Sequence, residues 1–190
     1  YEAIEISRLF QKICSMQGTN FVVGQEEFNL DRFEKVFIVG LGKGSSQAAK
    51  ALIKTLPKKK LRGGVVVDIR KQYLGKVKSF KGTHPLPSEK NVAATNKMID
   101  ILKGAGKNDL IITIICGGGS SLVCQPNDGM KCTDLQVVSN YLLKSGAGIT
   151  EINTIRKHLS LIHGGYLAKY AYPASVIGLI ISDVPGNKLD

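Results

Sequence analysis

Four stretches of this sequence gather residue types that could hold or move an anion. The first is Gly40-Leu41-Gly42-Lys43-Gly44-Ser45-Ser46. Its glycines let backbone N–H groups approach a negative charge, a following helix would add its N-terminal dipole, and Lys43 supplies a point charge. It is not GxxxxGK[ST], because the lysine comes early, and not GxGxxG, because Gln47 stands where a third glycine is needed. Gly42, Gly44 and Ser45 are the candidate phosphate contacts. The second is Gly117-Gly118-Gly119-Ser120-Ser121, a run of backbone donors with two hydroxyls, suited to an anion nest. Ser120 lacks the GxSxG elbow and a local histidine, so it is not read as a nucleophile. The third is Ser182-Asp183-Val184-Pro185-Gly186-Asn187, where Asp183 could hold Mg²⁺ near phosphates. In the fourth, Asn153, Arg156 and Lys157 fall at i, i+3 and i+4 and can share one helix face. Arg156 favours bidentate contact with a carboxylate or phosphate. His158, Ser160 and His163 follow. His84 and His158 are not spaced as a metal pair, and a lone histidine is usually structural.

These loops need strands behind them. Apolar runs at residues 36–40 (VFIVG), 64–69 (GVVVDI), 109–116 (DLIITIIC) and 175–182 (SVIGLIIS) read as buried strands, with a shorter one at 77–81. Helical periodicity appears at residues 1–16, 45–56, from Ser88 to about residue 102, 133–144, 150–159 and 166–171. Ser88 can cap its helix, and Thr133 with Gln136 reads as a capping box. Residues 18–35 read as a connector. Continuously apolar strands alternating with helices predict an α/β fold, a Rossmann-like three-layer sandwich on a mostly parallel sheet. Ligands of such sheets bind beyond the carboxyl ends of the strands, where three of the four stretches fall.

At 190 residues the chain suits one domain, or one lobe of a larger protein. The reading is a single domain over 1–190, with an N-terminal helix at 1–17 and a core at 36–190. A formal charge of +11 attracts anions without choosing among them. The run Lys58, Lys59, Lys60 and Arg62 has no interleaved aromatic residues, so it is no stacking platform for nucleic acid. No apolar run is long enough to span a bilayer. Cys14, Cys116, Cys124 and Cys132 have neither CxxC nor structural-zinc spacing, which points to a reducing compartment, the cytoplasm.

Taken together, the segments resemble the N-terminal domain of the glycerate 2-kinase family, the MOFRL-containing glycerate kinases once often labelled hydroxypyruvate reductases. The matching stretches are VGLGKGSSQAAKAL from Val39, THPLPSEKNVAAT from Thr83, ICGGGSSLVCQP from Ile115, KSGAGITEINTIRKHLSLIHGGYLA from Lys144 and LIISDVPGN from Leu179. The resemblance implies transfer of the γ-phosphoryl of ATP to the 2-hydroxyl of D-glycerate, with Mg²⁺, giving 2-phosphoglycerate. It implies a two-domain enzyme whose C-terminal domain is absent from this chain. Lys43 and Arg156 are the implied catalytic residues. Gly42, Gly44, Ser45, Gly117, Gly118, Gly119, Ser120, Ser121, Asn153, His158 and Ser160 are the implied phosphate or substrate contacts, and Asp183 the metal ligand. The expected partners are D-glycerate, the enzyme's own C-terminal domain and, in a homodimer, a second copy; nucleic acid and membrane are not expected. The rivals are a non-catalytic nucleotide- or sugar-acid-binding module and an NAD(P)-dependent oxidoreductase. The last would use Asp68, near the end of the second strand, to bind ribose.

Overall fold

The computed structural model describes residues 2–182. Its centre is a five-stranded parallel sheet of β4 (Lys35–Leu41), β5 (Leu61–Asp68), β6 (Val77–Lys81), β7 (Asp109–Ile115) and β8 (Ser175–Ile180), in the order β6-β5-β4-β7-β8. The two-residue period of a strand sorts its side chains into two cores. Val36 and Ile38 of β4, Val66 of β5 and Leu110, Ile112 and Ile114 of β7 face α1 (Glu2–Ile13) and α2 (Ser45–Thr55). Phe37, Val39 and Leu41, Val65 and Val67, and Ile111 face α3 (Glu89–Lys103), α4 (Gly119–Leu122) and α7 (Tyr166–Ala171). The predicted three-layer α/β fold is therefore present, and the strands of this sheet are all parallel. Helices α5 (Cys132–Lys144) and α6 (Ile149–His158) form the remaining link between β7 and α7. Among the described residues no helix is long and apolar enough to cross a membrane.

Four expectations need correction. The first helix stops at Ile13, and Met16 lies in a strand. Residues 14–29 are not helix and connector. They form a three-stranded antiparallel sheet of β1 (Cys14–Gln17), β2 (Asn20–Val23) and β3 (Glu26–Asn29). The turns between these strands carry Gly18 and Gly24 at positive φ, as tight hairpins demand. Strand β8 is an edge, with Val176 41% and Ile180 48% exposed; its apolar run was expected to be buried on both faces. The cap of α5 is Asp134, whose carboxylate accepts from the Lys131 N–H at 2.8 Å. Gln136 instead donates its side-chain amide to the carbonyl of Pro87.

Candidate functional site

The carboxyl ends of β4, β5 and β7 meet at one place. Gly42 lies so close to the loop after β7 that a Cβ there would run into the carbonyl of Cys116. The Lys43 N–H crosses to the Gly117 carbonyl at 2.9 Å, stitching the two glycine loops together.

The first loop does not offer its backbone to a ligand. Gly42 N–H donates to Val67, and Ser45 N–H to Gly42. Asp68, at the end of β5 and 1% exposed, takes the rest. Its carboxylate accepts from Gly44 N–H at 3.4 Å, Ser46 N–H at 3.0 Å and its neighbour Ile69 N–H at 2.6 Å. A fixed internal anion thus caps α2 where a bound anion was expected. Ser45 is buried, and its hydroxyl donates to the Val67 carbonyl. Gly42, Gly44 and Ser45 therefore shape the loop, and what the loop presents is the exposed Lys43 side chain. Asp68 is engaged with three backbone N–H groups and is not free to bind a ribose.

The second loop differs. Gly118, at φ +72°, opens the short α4, and the N–H groups of Gly117 and Gly118 have no partner among the described residues. Ser120 is exposed, whereas Ser121 is buried, with its carbonyl accepting from Asn91 at 2.9 Å. Asn91 is fully buried, and nothing in its sequence context marks its role. Its amide also donates to the Thr83 carbonyl, and its Oδ1 accepts from Thr83 N–H and from Ser88. One side chain thus ties the turn that carries His84 to the second glycine loop.

His84 and Lys43 meet over Gly118. A Cβ added to Gly118 would stand 2.8 Å from His84 Nε2 and 3.3 Å from Lys43 Cε. Arg156, half-buried on α6, completes the group: burial, then Lys43, then Arg156 push the His84 pKa down. Burial also lowers that of Arg156 itself. Neither Lys43 nor Arg156 takes part in an ion pair among the described residues. Two cations and a neutral imidazole converge, and no described acid pairs with either cation.

Beside them Ser120, Asn153, Arg156, Lys157, His163 and Gly164 line a cleft of about 100 Å³. It adjoins a groove of about 480 Å³ that runs from Gly117–Gly119 along β7 and β8 under α7. His163 braces the cleft. Its Nε2–H donates to the Ser120 carbonyl at 3.0 Å, and its Nδ1 pairs with the Ser160 hydroxyl at 2.7 Å. Burial pushes its pKa down to about 4; the Ser120 carbonyl opposes this and Arg156 adds to it. Ser160 is buried and bonded to Gln125 and Ile162 as well, so it acts through His163. His158, expected as a contact, is exposed, donates Nδ1–H to the Thr154 carbonyl and lines neither cavity. The fourth stretch thus contributes Asn153 and Arg156, as its helical spacing implied, and not His158.

Asp183 lies outside the described residues. Among those described, no three His, Cys, Asp or Glu groups converge as a metal site.

A family model described as a domain of unknown function, DUF4147, matches residues 2–190. A D-glycerate 2-kinase of Thermotoga maritima is 40% identical over 167 residues, covering 86% of this chain and 39% of that protein. A protein of Agrobacterium vitis carrying the name hydroxypyruvate reductase is 43% identical over 151 residues, 79% of this chain and 34% of its own length. A crystal structure of glycerate kinase from Thermotoga maritima superposes with a TM-score of 0.78 at 33% identity, over 99% of this chain and 45% of that one. The chain thus spans 34 to 45% of the length of these relatives.

Proposed function

This chain belongs to the DUF4147 family, and from that premise we propose that it is the N-terminal part of a glycerate 2-kinase, transferring the ATP γ-phosphoryl to the 2-hydroxyl of D-glycerate. The observation that carries the reading is that Lys43 and Arg156, neither in an ion pair among the described residues, act together on His84 over the second glycine loop, whose Gly117 and Gly118 N–H groups have no partner among those residues. Phosphoryl transfer asks a protein mainly to position its reactants and to hold negative charge. Lys43 is placed to hold phosphoryl oxygens as a point charge. Arg156 and Asn153, with the exposed Ser120 hydroxyl, offer a planar donor set suited to a carboxylate. Half-burial of Arg156 strengthens its pull on an anion, because less water screens it.

ATP, D-glycerate and the Mg²⁺ that accompanies the nucleotide are parts of this proposal, with Asp183 as the protein group nearest a metal role. So is a C-terminal domain of the same enzyme, which would close over the groove along β8. Four free cysteine thiols support a reducing compartment, the cytoplasm. The oxidoreductase reading that the Agrobacterium relative's name invites is disfavoured, since Asp68 is committed to capping α2.

The test is to supply the full-length protein with D-glycerate, ATP and Mg²⁺ and to follow 2-phosphoglycerate through enolase. Lys43→Ala is expected to lower kcat/KM at least 100-fold, roughly 2.7 kcal/mol of transition-state stabilisation. Product formed equally by the variant would remove Lys43 from the mechanism; no product from the wild type would remove the kinase reading.

A further inference from the structure

The three histidines of the chain divide by what their ring nitrogens already do. Both nitrogens of His163 are committed, to Ser160 and to Ser120. His158 uses Nδ1 on its own helix and lies outside both cavities. His84 alone has neither nitrogen engaged among the described residues, and it stands in the centre of the cationic group. Its Nε2 and the Lys43 chain converge over Gly118, where only a glycine leaves room. Asn91, buried and satisfied at both ends of its amide, holds the loop that carries it. Asp68, the carboxylate beneath the first glycine loop, is buried and engaged with three N–H groups.

We propose that His84 is the proton acceptor for the hydroxyl that receives the phosphoryl group, an assignment that rests on the kinase reading above. In this step the acceptor O–H bond breaks and its proton passes to the imidazole. The oxygen bonds to the γ-phosphorus, and the bond from that phosphorus to the bridging oxygen breaks, leaving the electron pair on ADP. The imidazolium is partly exposed and returns its proton to water.

The surroundings suit this role. Among the described residues, the charged groups facing the ring are Lys43, from the loop between β4 and α2, and Arg156, on α6; with burial, both disfavour the imidazolium, so the ring is neutral at pH 7. A base needs to be unprotonated before reaction, and these cations keep it so. They can do so only while unpaired. When substrate anions neutralise them, the imidazolium becomes less costly, so the base strengthens as the site fills.

The experiment compares the full-length wild type with His84→Asn, using D-glycerate, ATP and Mg²⁺. Loss of a general base costs about 100-fold in rate or more. The expected result is a kcat lowered about 100-fold with the KM for ATP within threefold. The wild-type rate should fall on the acid side of pH 6.5, and that limb should vanish in the variant. A variant kcat within threefold of wild type across the pH range overturns the assignment while leaving the kinase reading intact. No product from the wild type overturns both. A second measurement does not depend on the variant's activity. The ring ¹⁵N signal of wild-type His84, identified by its absence from His84→Asn, should move when D-glycerate is added. A signal that stays in place overturns the assignment.

Discussion

His163 shows how burial fixes a protonation state and, through it, the shape of the site. Burial and Arg156 favour the neutral ring, with Nε2–H on the Ser120 carbonyl and Nδ1 against the Ser160 hydroxyl. Its folded pKa, about 4, lies below the ordinary value of 6.5. For a base so depressed, the unfolded chain binds the extra proton first as pH falls, and stability drops. The contribution is present in full above pH 6.5 and is lost between pH 6.5 and 4, amounting to roughly 2–3 kcal/mol. Urea unfolding at pH 7 and pH 4.5 should show this loss. His163→Gln, which cannot take up a proton, should show a markedly smaller one, and equal losses in both proteins would assign the acid sensitivity to other groups. At this scale the sequence was half legible. Lys43, Arg156 and Asn153 could be chosen because charge and helical spacing are written in one dimension. Asn91, His84 and His163 could not, because their roles depend on partners 30 to 43 positions distant or on the approach of a separate loop.

At the scale of elements, the turn from β4 into α2 was legible as a turn and misleading as a binding site. The pattern of glycines is what an anion-binding helix start requires, but the same pattern accommodates a carboxylate from the next strand. Asp68 fills that place from β5, which pairs alongside β4. Removing it should therefore damage the fold before the chemistry. Asp68→Ala leaves the N–H groups of Gly44, Ser46 and Ile69 without their acceptor, at a cost of roughly 2–4 kcal/mol. Asp68→Asn keeps one acceptor oxygen and should cost about half as much. Chemical denaturation with an unchanged m value would give both numbers. Were Asp68→Ala within 0.5 kcal/mol of the wild type, the carboxylate would not be the cap of α2. The small sheet of β1 to β3 escaped notice for a related reason. Its strands are four residues each, too short for alternation to stand out, and only Gly18 and Gly24 marked the turns.

At the scale of the whole molecule, the parallel sheet was readable because strands covered on both faces are apolar without interruption. The rule overreached at β8. Ile177 and Leu179 pack toward the α1–α2 side, while Val176 and Ile180 line the open groove with Thr113, Ile115 and Leu167. An edge strand in a groove carries the same residues as a central strand when something else is to cover it, and sequence alone does not say what. More apolar surface is exposed on α5 and α6, at Val137, Tyr141, Leu143 and Ile149. Burying the open half of Val176 or Ile180 would add roughly 1 kcal/mol each, which suits an interface with the part of the longer relatives that this chain does not span. Residues 1–190 expressed alone should therefore bind the apolar dye ANS. The double variant Val176→Thr, Ile180→Thr should lose most of that fluorescence with its Tm lowered by no more than a few degrees, because these side chains contribute little to the core they border. Unchanged fluorescence in the double variant would move the sticky surface to the α5–α6 face.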